Sequence, residues 1–228
     1  MIEQYLDSLK KSILKKIATS INNQTIEDIV KNDLFYHIDP NNTSRKFQEY
    51  YFKVTNNRDN FLNDSDFFKH FKYQYSLQGV DNNLLQKLNS NKEKILDYFD
   101  TDRSFQVFDE FFYKVETKHG STFISKDFGS FFAKLAHTIK PDTYCALDNP
   151  VKNYFNLEKE SFIVAFYIIS QSYKDFSRDN KATLSALKQS YKRIDQNNVM
   201  THDSLTDLKL LDLIFWYRAN VGLTMGSL

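Results

Sequence analysis

The 228-residue chain is poor in three residue types that punctuate most folds, with five Gly, three Pro and one Cys. A single cysteine, Cys145, excludes a disulfide within the chain and a thiolate zinc cluster. Its small and apolar neighbours predict a buried structural thiol. Scarce Gly and Pro mean few tight turns, which favours helices over hairpins. No Walker loop, G-x-G-x-x-G fingerprint, nucleophile elbow or EF-hand loop occurs, which argues against P-loop hydrolysis, Rossmann redox chemistry and serine hydrolysis. His37, His70, His119, His137 and His202 show no H-x-x-x-H or H-E-x-x-H spacing, so no metal site and no cofactor is expected. Long apolar runs are missing too. FIVAFYIIS at 162–170 is about half of what a bilayer span needs and reads as a buried core helix. The N-terminus lacks the apolar run and cleavage site of a signal peptide, and the sequence predicts a cytoplasmic chain with no membrane partner.

Charge is nearly balanced, with 30 basic and 29 acidic residues. Any polyanion binding must therefore rest on a local patch. Residues 116–195 hold 12 Lys/Arg against 9 Asp/Glu, a slight excess of positive charge. Aromatic residues, by contrast, are plentiful at 16%, with 21 Phe and 14 Tyr. Bulky rings must fill much of the core. The abundance of Asn, Lys, Ile, Phe and Tyr is also what a genome rich in A and T imposes.

Apolar residues at helical spacing predict a first helix over 2–20, with Leu9, Ile13, Ile17 and Ile21 on one face. Thr25 reads as the opening of TIEDIV, and Ser44 as the cap of RKFQEYYFKV. Asp102 reads as the cap of a long helix, RSFQVFDEFFYKVETKH, that Gly120 ends. Further helices are predicted near 122–139, 149–156, 158–177, 181–194 and 203–219, and His202-Asp203 as a capping pair. No stretch alternates with period two between turn residues, so no sheet is predicted. The expectation is an all-α fold of nine to eleven helices in a single compact domain spanning 1–228. Two closely packed lobes, 1–116 and 117–220, are the alternative division, and 221–228 reads as a frayed tail.

Residues 129–155, GSFFAKLAHTIKPDTYCALDNPVKNYF, hold one Gly and two of the three Pro. Lys140-Pro141 ends one helix, because the residue before Pro is pushed out of the α region. Asp148 then suits the N-cap of the next, with Pro150 in its first turn, where a missing N–H costs nothing. The same position stabilises a carboxylate anion. Asp148 is thus either a plain cap or a carboxylate held out for chemistry.

The segment resembles the helix-hairpin-helix DNA glycosylase superfamily, in which a Gly-containing hairpin, a helix and a Pro-containing loop lead to an Asp that opens the next helix. Asp148 follows Gly129 by nineteen residues, and LDNPV is similar to the apolar-Asp-x-x-apolar signature. AKLAHTIKPDTYCALDNPV also resembles bacterial proteins with an S-K-x-L-H-x-x-x-P-x-x-F-x-x-x-D pattern, at Lys134, His137, Pro141, Tyr144 and Asp148. The likeness covers about 27 of 228 residues. Phe131 stands where bifunctional members carry their lysine, so the resemblance implies no Schiff-base lyase.

What the resemblance implies is a DNA-directed helical protein, glycosylase-like or a non-catalytic binder, with duplex DNA as partner. Asp148 would be catalytic, and Lys134, His137, Lys140, Tyr144 and Lys152 would bind nucleic acid. A helical interaction module with an unidentified protein partner is the rival reading. A small-molecule enzyme on a helical fold is the third.

Overall fold

A computed structural model describes residues 2–119 and 122–222. Among the described residues the chain is all-α apart from one hairpin. Helix α1 (Ile2–Asn22) leads to a short α2 (Ile26–Asp28) that runs on as a π-helical stretch and a 3₁₀ turn ending at His37. Next come α3 (Ser44–Val54), α4 (Arg58–Asn63), α5 (Phe67–Gln74), α6 (Asn82–Asn89), α7 (Lys92–Asp100) and α8 (Ser104–Phe111). Strands β1 (Val115–His119) and β2 (Thr122–Lys126) form the hairpin. The second half holds α9 (Gly129–Ile139), α10 (Asn149–Tyr154), α11 (Phe162–Asp179), α12 (Lys181–Ile194) and α13 (Asp207–Tyr217). No described helix is long and apolar enough to cross a membrane.

Two helix starts follow the sequence: Thr25 and Asp148 each accept a backbone N–H of the first turn, from Asp28 and Val151. Ser161 does the same for the Val164 N–H, so α11 opens at Phe162 and not near 158. Ser44 does not cap. It is the first helical residue of α3, and its hydroxyl points to His37 instead.

The long helix expected after Asp102 is also absent. Asp102 sits at φ +55°, α8 stops at Phe111, and Lys114 takes the left-handed conformation at φ +47°. The Asp127 carboxylate holds that bend by accepting the Lys114 N–H at 2.8 Å. The chain then pairs antiparallel, Val115 opposite Lys126 and Thr117 opposite Ile124. A hydrogen bond from Phe128 N to Phe112 O (2.8 Å) closes the hairpin's base. Gly120 and residues 223–228 lie outside the described residues, so neither the expected stop at Gly120 nor most of the frayed tail is described.

The core is a continuous field of rings. Phe131 of α9 stacks on Phe71 (5.6 Å) and meets Phe112 edge-on, and Phe132 meets Phe166 of α11 at 5.1 Å. Gly129 lets the two helices approach. A Cβ there would sit 2.5 Å from Phe162 Cδ1. It is a packing glycine, not a hairpin glycine. On the far side Ile13, Ile17 and Ile21 of α1 are buried, and Lys10 forms an ion pair with Asp175 of α11.

Candidate functional site

The corner between α9 and α10 and the buried face of α13 meet at a recess of about 230 Å³. Two contacts set this geometry. Thr206 caps α13 by accepting Lys209 N–H (3.1 Å) and donates its hydroxyl to the Pro141 carbonyl, which ties the start of α13 to the corner. At the other end, Arg218 binds Asp33 and the Ser20 carbonyl, which holds the segment leading to His37 beside α13.

Two lysines and two aspartates line the recess: Lys134 from α9, Asp148 from the corner, and Lys209 and Asp212 from α13. Lys209 and Asp212 are only 5% and 6% exposed, and Nζ lies 3.5 Å from Oδ2. Burial pushes the Asp212 carboxyl up to about 6; the Lys209 and Lys134 ammoniums oppose that rise and Asp148 adds to it. Burial also lowers both lysines, against the pull of the carboxylates. Lys209 Nζ lies 4.1 Å above the Tyr51 ring, whose face suits a cation. Lys134 Nζ donates to Ser130 Oγ at 2.6 Å.

Asp148 does two things at once. Oδ1 accepts the Val151 N–H and Oδ2 accepts the Trp216 indole N–H, each at 3.1 Å. It is a cap, and also a recess wall held from both sides.

Around the charges stand Phe47, Tyr75 and Trp216, with His37, Ser44 and Gln48. Burial pushes the His37 imidazole down to about 3, so the ring is neutral at ordinary pH. Its Nε2 must then donate to the Leu213 carbonyl (3.0 Å), which leaves Nδ1 to accept the Ser44 hydroxyl (2.8 Å). Gln48 is 7% exposed and its Oε1 has no partner among the described residues.

The recess gathers only part of what the sequence singled out. Lys134 and Asp148 are there. His137 is buried behind it, with its ring stacked on Tyr51 and Nδ1 donating to the Tyr144 carbonyl (2.6 Å). Tyr144 is buried as well, stacked on Phe166 and hydrogen-bonded to Ser104 Oγ at 2.7 Å. Lys152 folds back onto the carbonyls of Glu158 and Glu160, and Lys140 pairs with Asp100 at 3.2 Å. These four do not form a basic groove with Lys134: two are core, one closes a loop and one pairs across the surface.

Cys145 is the inert thiol its neighbours suggest. It is buried beside Ser170 and pushed up to about 12 by burial. His202 is not half of a local capping pair; it lies 3.0 Å from Asp195, which accepts the Val199 and Met200 N–H groups.

Lys209, Asp212 and Trp216 escaped the sequence reading, although a signal was present. In DLKLLDLIFWY a Lys and an Asp three residues apart interrupt an otherwise apolar helix, and such a pair is expensive to bury without a purpose. His37, Ser44 and Gln48 carried no comparable mark.

No protein-family model, no curated protein and no solved structure matches the chain. Nothing among known proteins therefore supports the descriptions glycosylase-like, DNA-binding or bacterial, and these expectations are withdrawn.

Proposed function

We propose that the chain is a small-molecule enzyme that performs acid–base chemistry in the recess between the α9–α10 corner and α13. One observation carries the reading: two carboxylates and two ammoniums from three parts of the chain line a single cavity together with three aromatic side chains. A purely structural ion pair needs no cavity beside it.

The roles follow from the chemistry. A carboxyl held near 6 exchanges a proton at neutral pH without a large energetic penalty in either direction, so Asp212 is the proton-transfer group. Lys209 and Lys134 offset negative charge as it develops on the substrate, with greater effect where water is excluded. Asp148, fixed by an indole and a helix N-terminus, holds a constant orientation. Phe47, Tyr75 and Trp216 supply apolar faces that bury the body of the substrate.

The test is turnover of a panel of small polar metabolites, followed by mass spectrometry in wild type, Asp212→Asn and Lys209→Met. The expected outcome is consumption of at least one compound, reduced by about 100-fold or more in Asp212→Asn, with the helical circular-dichroism signal unchanged. Undiminished turnover in Asp212→Asn, or none by the wild type, overturns the reading.

A further inference from the structure

We propose that the recess takes a small organic monocarboxylate carrying one hydroxyl or N–H donor, and that the carboxylate enters together with a proton that settles on Asp212. This deepens the acid–base reading and rests on it.

The charge balance points to a monoanion. With Lys134, Lys209, Asp148 and Asp212 all ionised, the four charges cancel and nothing draws an anion in. Protonating Asp212 leaves one net positive charge and adds an O–H donor. That is sufficient for a monoanion and too little for a dianion such as phosphate.

Hydrogen-bonding capacity points the same way. An ammonium has three N–H groups. Among the described residues, Lys134 Nζ bonds Ser130 Oγ, and Lys209 Nζ has the long contact to Asp212. Both lysines keep donors for a carboxylate. Gln48 asks for the opposite partner, because its Oε1 is an acceptor, buried and unpartnered, on the same recess. A ligand with an anionic end and a donor end meets both demands. The volume of 230 Å³ equals roughly eight waters, which suits a ligand of about that many to ten heavy atoms, and the aromatic walls suit a planar one.

The proton linkage involves every group facing Asp212. Lys209 shares its helix, Lys134 faces it from α9 and Asp148 from the corner. Tyr51 of α3, Tyr75 beyond α5, Tyr173 of α11 and Cys145 also feel its charge, and burial pushes all four upward, so they stay neutral at ordinary pH. His37 and His137, both near 3, stay neutral as well. Asp212 is the acid placed near 6. An anion beside it favours its neutral form, and by reciprocity the neutral form favours the anion.

The probe is 4-hydroxybenzoate, which has ten heavy atoms and a hydroxyl opposite its carboxylate; 4-hydroxybenzamide is the uncharged control. Titration calorimetry on the wild-type chain should show 4-hydroxybenzoate binding about tenfold tighter at pH 6.5 than at pH 7.5, levelling off below pH 6. The amide should bind weakly and without pH dependence. Repeating the titration in buffers of different ionisation enthalpy should reveal uptake of close to one proton per ligand at pH 7.5. This needs no variant. Asp212→Asn should abolish the pH slope, and Lys134→Met should weaken binding at least about tenfold.

Equal or tighter binding of the amide, or binding without proton uptake, overturns the carboxylate inference while leaving the acid–base reading in place. Absence of binding by either compound overturns the inference too, and the acid–base reading is then decided by the turnover panel.

Discussion

The face of α9 that carries Phe131, Phe132 and Leu135 is packed into the ring core, where Phe131 stacks on Phe71 and Phe132 meets Phe166, and each of the three is at most 1% exposed. Lys134, between Phe132 and Leu135 in the chain, lines a cavity that holds another lysine, two carboxylates and an unpartnered amide oxygen. One helix thus serves two regions built on opposite rules. The ring core gains free energy from every contact, because buried apolar area and close packing both favour the folded state. The recess gathers charges in a place where burial penalises them. Such an arrangement contributes little to holding the chain together, and that contrast is the reason to look for function there.

The comparison is sharpest under truncation. Phe132→Ala should cost about 3–5 kcal/mol, since the ring is fully buried against Phe99, Phe108 and Phe166 and its removal leaves a cavity. Urea unfolding measures this directly. A loss below about 1 kcal/mol would mean the rings are loosely packed and the contrast is false.

Acid should expose a second difference. His37 and His137 are held near 3 in the folded chain, against an ordinary value of 6.5. Their neutral forms contribute stability that is complete above pH 6.5 and is lost as pH falls toward 3. Asp212 acts in the opposite sense. Its raised value favours the folded state as pH falls from about 6 to about 4, which offsets one of the two histidines over that window. The expected net loss is roughly 1–3 kcal/mol per pH unit between about pH 6 and pH 3, read as a falling urea midpoint. A flat profile would show that the histidines are not buried as described.

The smallest effect separates the two roles of Asp148. Asp148→Asn retains an acceptor for the Val151 N–H, whereas Asp148→Ala loses both that bond and the bond to Trp216. The Ala variant should be less stable by about 1–2 kcal/mol, and the Asn variant should fall between it and wild type, because its Nδ2 is a donor and cannot replace the oxygen that accepts the Trp216 N–H. If the Asn variant also keeps full turnover, the carboxylate charge has no part in the chemistry.

The sequence was legible wherever a signal is local. Asp148 caps α10, and Pro150 follows in its first turn, because a short side chain, a missing N–H and a restricted φ act over three or four residues. Amphipathic spacing placed α1 and α12 for the same reason. Legibility failed where a distant partner decides the local conformation. Local pattern predicts the end of one helix before Gly120 and the start of another near residue 122, yet Asp127 and Phe128 reach back thirteen and sixteen residues to hold the bend that makes 115–119 and 122–126 a hairpin. Ser44 was read as a cap because nothing nearby revealed that His37 would take its hydroxyl.

By itself, then, the sequence determined an all-α body with an aromatic core, a helical corner at Pro141 and a capping Asp148, since composition, periodicity and turn chemistry each act over a few residues. Only the tertiary structure decided which charges share a cavity. Lys134, Asp148, Lys209 and Asp212 span nearly eighty positions of the chain and meet because Thr206 and Arg218 dock α13 against the corner. Electrostatic interaction depends on distance in space, and no local pattern records which distant side chains packing will bring close.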